Sequence, residues 1–270
     1  ENQKSKSVRY LDRWKLEVKK EDIEKFKKGE LVEPKKQIVY YVDRATPKKW
    51  IPYLKQGIED WQIAFEEAGF KNAIIAKDPP SIEEDPDWSP EDVRYSVVRY
   101  LASPIPNANG PHVSDPRSGE ILEADINWYH NVMLLLRNWF FIQTAAINPD
   151  ARTPEFRDEV MGRLIRFVSA HEVGHTLGLN HNMKASQTVS LENLHNTDWT
   201  DQHGLVGSVM DYTPINLANA GETQGKYFAD SPGSYDVWAI QFGYSPDLIG
   251  EKRAEHLRRS LEPLLTFGND

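Results

Sequence analysis

Along residues 120–129, EILEADINWY, apolar and polar positions alternate: Leu122, Ala124, Ile126 and Trp128 against Glu123, Asp125 and Asn127. That period of two predicts a half-buried strand. Three earlier runs rich in β-branched and aromatic residues, QIVYYVDR (37–44), NAIIAKD (72–78) and VRYSVVRYL (93–101), predict further strands. Between the first two the period changes. Trp50, Leu54, Ile58, Trp61 and Phe65 recur three or four positions apart, one face of an amphipathic helix that Thr46 and Pro47 would start. Pro52 fits that helix only in its first turn. Two more helical patterns cover 132–147 and about 154–177, the second carrying Val160, Leu164, Phe167 and Val168. After His181 the chain is irregular, rich in Asn, Thr, Ser and Gly, until SYDVWAIQFGY (234–244) resumes a helical pattern. Residues 1–36 are Lys-rich with little apolar periodicity and read as a solvated linker or strap preceding a single domain at 37–270.

The composition changes this picture in three ways. The longest apolar run, VMLLLRNWFFIQTAAI (132–147), is interrupted by Arg137 and Asn138 and falls short of the roughly 20 residues a membrane span needs, so it reads as a buried helix. A net charge of −9, with no face rich in Lys and Arg, argues against a nucleic-acid partner. With no cysteine, any metal must be held by His, Asp, Glu or backbone oxygen. The acidic loop PPSIEEDPDWSPED (79–92) could offer Asp85, Asp87 or Asp92 to calcium, but its spacing fits no calcium loop and a solvated loop is the expectation. The chain opens at Glu1 with neither a charged n-region nor an apolar h-region, and is expected to be a piece of a longer protein.

The chemistry concentrates in HEVGHTLGLNHN (171–182). On a helix, His171 and His175 stand one turn apart on the same face, at a separation one tetrahedral zinc can bridge. A continued helix would carry His181 away, whereas Gly178 can take a left-handed conformation and turn the chain back to close a three-histidine site. Three neutral imidazoles leave a fourth position for water, the mark of a catalytic zinc, and Glu172 stands beside it as general base and then acid. The remaining histidines, His112, His130, His195, His203 and His256, lack such spacing and read as ordinary polar or capping residues.

HEVGHTLGLNH fits HExxHxxGxxH in full, and GSVMDYTP follows with a methionine at 210, so the chain resembles the metzincin metalloendopeptidases. The resemblance implies an α+β fold: a mostly parallel twisted sheet with an antiparallel edge strand, backing helices and an active-site helix in an upper subdomain (37–180), then a smaller irregular and helical lower subdomain (181–270). It implies one catalytic zinc on His171, His175 and His181, Glu172 as the catalytic base, Met210 as an apolar floor, and Tyr212 as a helper at the oxyanion. Without the resemblance, Met210 and Tyr212 would read as core packing and a buried, satisfied tyrosine. NGPHVSDP (109–116) would be the edge strand on which an extended substrate pairs. HNMKAS, SVMDYTPIN and YDVWAIQFGY look, more narrowly, like the catalytic module of large multidomain bacterial zinc metalloproteases. That implies a polypeptide substrate, flanking domains, and a secreted, periplasmic or cell-surface location.

The chain departs from the better-known metzincins in placing Met210 29 positions after His181, in lacking cysteine, and in the extra helical segment at 132–147. Two alternatives stay open: a zinc-containing peptide- or glycan-binding module that has lost turnover, and a zinc amidase acting on a non-protein substrate.

Overall fold

The computed structural model describes residues 9–221 and 223–269. The first eight residues of the expected N-terminal linker therefore lie outside the described residues. Each predicted strand forms, shorter than its run: β1 Ile38–Val42, β2 Ile74–Lys77 and β3 Ser96–Leu101. The expected single strand at 120–129 is two, β6 Ile121–Ala124 and β7 Ile126–Tyr129, and they belong to different sheets. Asp125 breaks them, because its carboxylate accepts the Val97 amide at 2.8 Å and so takes up a donor next to the break. Leu122, expected on the buried side, is exposed. In the β6 ladder Val113 pairs with Glu123 and Ser114 with Ile121, so Leu122 is the additional residue of a bulge.

The main sheet runs β2-β1-β3-β7-β4, parallel except for β4, Ala108–Asn109, which pairs antiparallel with β7 at one edge. β5, His112–Ser114, pairs with β6 in a separate hairpin. The edge strand expected at 109–116 is thus confined to Ala108–Asn109; Gly110 and Pro111 divert the rest, as proline cannot donate to a ladder. The fold is mixed α+β and consistent with a metzincin-like fold.

Short α1, Ile23–Lys27, precedes the sheet. The amphipathic helix expected from residue 46 is two, α2 Ile51–Glu59 and α3 Gln62–Glu67, with Pro52 in the first turn of α2. They part at Asp60, whose carboxylate takes Arg166 at 2.6 and 2.7 Å, and at Trp61, whose indole donates to the Ala170 carbonyl. α4, Val132–Thr144, leads to α5, Asp158–Thr176, which starts four residues after the expected 154 because Pro154 lies outside it. The C-terminal half of α5 has its buried side fixed at two points. Ser169 donates to the Leu54 carbonyl, and the fully buried Tyr40 hydroxyl reaches Thr176 Oγ1 at 2.6 Å.

The segment after His181 carries two helices that the pattern did not show, α6 Leu191–Leu194 and α7 Thr197–His203. Both are too short for a periodicity to appear, and both begin at a side-chain cap, Ser190 and Asn196. α8, Ser234–Tyr244, matches its predicted stretch, and α9, Gly250–Arg258, follows.

Residues 9–36 are not a solvated tether. Arg13 makes backbone bonds to Gly119 and Ile121, and Val32 is buried against Phe70 in a bridge. The Trp14 indole donates to the Thr176 carbonyl at 2.9 Å, which lays this segment over the end of α5. Low periodicity hid this, since a strap that buries single residues such as Trp14, Leu16 and Phe26 has no repeating face.

Candidate metal centre and its supports

α5 presents His171 and His175 one turn apart, and the chain then reverses at Gly178, which has φ +94°. The Gly178 amide bonds the His175 carbonyl and the Leu179 amide bonds the Gly174 carbonyl, both at 3.0 Å, closing the helix with a left-handed cap. A side chain at 178 would suffer twice, from that φ and from collision with the Asp12 carbonyl of the N-terminal segment. The turn brings His181 back beside His175, with their Nε2 atoms 3.1 Å apart. The candidate ligand atoms of His171, His175 and His181 all lie within 4.8 Å of one another, the group of that kind found among the described residues. We expect Gly178→Ala to cost about 1–2 kcal/mol for the backbone alone and to weaken zinc binding as His181 is displaced. Thermal melts with chelator competition check this; an unchanged zinc affinity would count against the turn's role.

The ring orientations suit metal binding. His171 Nδ1 faces the Val209 carbonyl at 2.7 Å and His175 Nδ1 faces the Leu179 carbonyl at 3.0 Å. A carbonyl can only accept, so Nδ1 carries the proton and Nε2 keeps its lone pair for a metal. Two Zn–N bonds of about 2.0–2.1 Å at a tetrahedral angle set their donors about 3.4 Å apart, and the observed 3.1 Å between two of them is close to that. Burial holds the His171 imidazole down to about 3, so it is neutral, as a ligand must be. The donor set fits zinc: three imidazoles with a further polar group at hand.

Glu172 points into the same cavity and is buried. Burial pushes its carboxyl up to about 8, against a hydrogen bond from the Gly110 amide that lowers it. A divalent cation beside it acts in the same sense as that amide, favouring the carboxylate. Tyr212 OH stands 2.9 Å from His181 Nε2, and its ring lies 5.3 Å from that of His171. Every residue singled out for the site thus comes together, Met210 included. It is fully buried, and a Cβ at Gly174 would strike its sulfur, so the thioether lies against the turn of α5 between the two helical histidines.

Three supports escaped the sequence reading. Asp236, in the first turn of α8, is fully buried and accepts Ser208 Oγ at 2.5 Å and the amides of Val209 and Gly233 at 2.7 and 2.8 Å. Since the Val209 carbonyl faces His171 Nδ1, one residue links that carboxylate to a candidate ligand, its amide held by Asp236 and its carbonyl facing the imidazole. Asp211 accepts the amides of Ser186 and Tyr212. Asn182, beside His181, bonds the Met210 carbonyl through its amide and the backbone of Thr266 and Gly268 through its side chain. Only Asp236 left a trace in the sequence: an acid three residues after a glycine that opens an apolar helical run, a weak capping signature.

Residues 153–270 match the family model described as Met-zincin. The match holds α5, the three histidines, the methionine turn and α8, while the sheet lies outside it. Neither a curated protein nor a solved structure matches the chain. A Met-zincin match joined to this histidine cluster supports a zinc metallopeptidase-like module, and the three histidines could hold one zinc ion.

Proposed function

We propose that the chain is the catalytic module of a zinc-dependent endopeptidase. The observation that carries this is the convergence of three buried or half-buried histidines, Glu172 and Tyr212 on one cavity, beside the antiparallel edge strand β4. Zinc, when held by His171, His175 and His181, supplies the Lewis acidity that lowers the pKa of water towards about 7 and polarises a carbonyl. The Glu172 carboxylate takes a proton from the attacking water and passes it to the departing amide nitrogen, so that the leaving group departs as an amine. The Tyr212 hydroxyl donates a hydrogen bond to the carbonyl oxygen as that oxygen gains charge. An extended polypeptide pairs along β4, whose two residues border the cavity. In this reading 37–180 and 181–270 are the upper and lower subdomains on either side of the cleft. Residues 9–36 strap the end of α5, and the module works outside the cytosol within a longer protein.

The test is a zinc count by elemental analysis paired with cleavage of an unfolded protein with and without a chelator. One zinc per chain and chelator-sensitive cleavage is the expected result. One zinc with no cleavage would turn the reading towards a binding module, and no zinc under metal-replete conditions would end it. Tyr212→Phe is expected to lower kcat by about 10²–10³, the usual loss for one oxyanion donor, with KM little changed. An equal rise in KM would instead assign Tyr212 to substrate binding.

A further inference from the structure

His175 lines two cavities, the one that holds the three histidines and a second of about 470 Å³ at the end of α5. The second is walled by Tyr10, Leu11 and Asp12 of the N-terminal strap, by the turn at 178–180, and by residues 110–112, which continue the chain from β4. Gly110 joins the two, since its amide bonds the Glu172 carboxyl while the residue itself borders the second cavity. An extended polypeptide lying on β4 therefore reaches this cavity with the residues on one side of the bond to be cut. In the antiparallel pairing, the more stable of the two, these are the residues N-terminal to that bond.

The second cavity carries a charge with little set against it. Among the described residues Asp12 is the one carboxylate that lines it, and no lysine or arginine does. The adjacent Arg13 sends its guanidinium to the Gly243 carbonyl and is absent from the walls. Asp12 Oδ2 faces His112 Nε2 at 3.2 Å and accepts Ser114 Oγ at 3.3 Å, whereas Oδ1 accepts no hydrogen bond among the described residues. With 39% of the side chain exposed, that oxygen is open to a ligand. The strap also holds Asp12 in place: its carbonyl lies against Gly178, Arg13 bonds the backbone of Gly119 and Ile121, and the Trp14 indole bonds the Thr176 carbonyl. A carboxylate so fixed loses little freedom when it binds. Both Asp12 and His112 lie outside residues 153–270, so this arrangement belongs to the chain and not to the part that the Met-zincin model matches.

We infer that Asp12 recognises a cationic group of the polypeptide, a lysine or arginine side chain or the free chain amine, on the N-terminal side of the bond to be cut. The inference rests on the peptidase reading, and deepens it by naming the substrate class. An ion pair as open to water as this one gives up to about fivefold in binding, and salt screens it.

The site can be read without turnover. Dye-labelled peptides that differ in one residue N-terminal to a central bond (Lys, Arg, Gln or Glu), each with a free or an acetylated amino end, are titrated by anisotropy into zinc-loaded Glu172→Gln chain, alone and with Asp12→Asn or Asp12→Lys added. Circular dichroism and zinc content confirm that each variant folds. Wild type and Asp12→Asn also digest an unfolded protein, and their cut sites are read by mass spectrometry. The expected result is binding of the cationic peptides about fivefold tighter than their neutral counterparts, with Glu weakest. Asp12→Asn should erase that order and Asp12→Lys reverse it. High salt should weaken it, which a merely structural role for Asp12 would not produce. A preference that survives acetylation assigns the cation to the side chain, and one lost on acetylation assigns it to the chain amine. Peptides that bind without regard to charge, that do not bind, or whose preference ignores both substitutions overturn the site. Cleavage whose cut sites ignore charge and are the same in Asp12→Asn keeps the peptidase and overturns the site. An Asp12-dependent preference with no cleavage by wild type keeps the site and overturns the peptidase.

Discussion

Glu172→Ala is expected to reduce kcat by about 10²–10⁴, the range that one general acid–base group supplies, while the chain still binds one zinc. The two halves of that result come from separate parts of the geometry. The metal is held by His171, His175 and His181, whose orientations are fixed by the Val209 and Leu179 carbonyls and by the turn at Gly178, and none of these contacts involves the Glu172 side chain. The carboxylate's own partner is the Gly110 amide at the end of the edge strand. Removing the carboxylate leaves that amide next to the cleft, so the fold should lose little. Zinc content by elemental analysis and single-turnover cleavage check both halves. Loss of zinc along with activity would mean that Glu172 organises the histidines, and activity near that of wild type would remove it from the reaction.

How much of this was legible in the sequence depends on the range of the interactions. His171, Glu172, His175 and His181 lie within eleven consecutive residues, and their relation follows from helix geometry plus one left-handed glycine; both are local rules. Strands β1, β2 and β3 were also visible, since short β-branched and aromatic runs bounded by turn residues announce themselves. What failed is what long-range contacts decide. The break at Asp125 comes from a carboxylate bonding Val97, 28 positions away, and the diversion of 110–116 from the sheet depends on β6 being available as a partner. The strap at 9–36 meets the end of α5 through Trp14, whose indole bonds the Thr176 carbonyl 162 positions further along. No window of the sequence contains such a pair. That α4 lines the cavity lay hidden for the same reason: the periodicity at 132–147 shows that a face is buried, without showing that Leu135 and Trp139 border the cavity that holds the histidines.

Asp236→Ala is expected to be the most damaging change away from the cleft, costing about 3–5 kcal/mol of stability, because it strands Ser208 Oγ and two backbone amides at about 1–3 kcal/mol for each buried unpaired group, less whatever the site can relax. The loss should extend to the metal. Without the carboxylate neither the Val209 amide nor the Ser208 hydroxyl that accepts the Met210 amide is held, the Val209 carbonyl between them no longer fixes His171 Nδ1, and zinc affinity should fall about 10–100-fold, as for other outer partners of metal ligands. Chelator competition reads this apart from stability; an unchanged zinc affinity in a destabilised chain would show that the Met210 turn keeps its shape by other contacts. Titration supplies a second signature. Burial lifts the Asp236 carboxyl from its ordinary 3.8 to about 6, against three hydrogen bonds that lower it. Between about pH 4 and pH 6 the folded chain therefore binds a proton that the unfolded chain has released. The associated stability is fully present below the unfolded value and is lost as pH rises through about 6. Asp236→Asn cannot titrate, so subtracting its stability curve from that of wild type should leave a difference that declines across this window and is level above it. A level difference throughout would mean that the three donors outweigh burial and keep the carboxylate ionised in the folded chain.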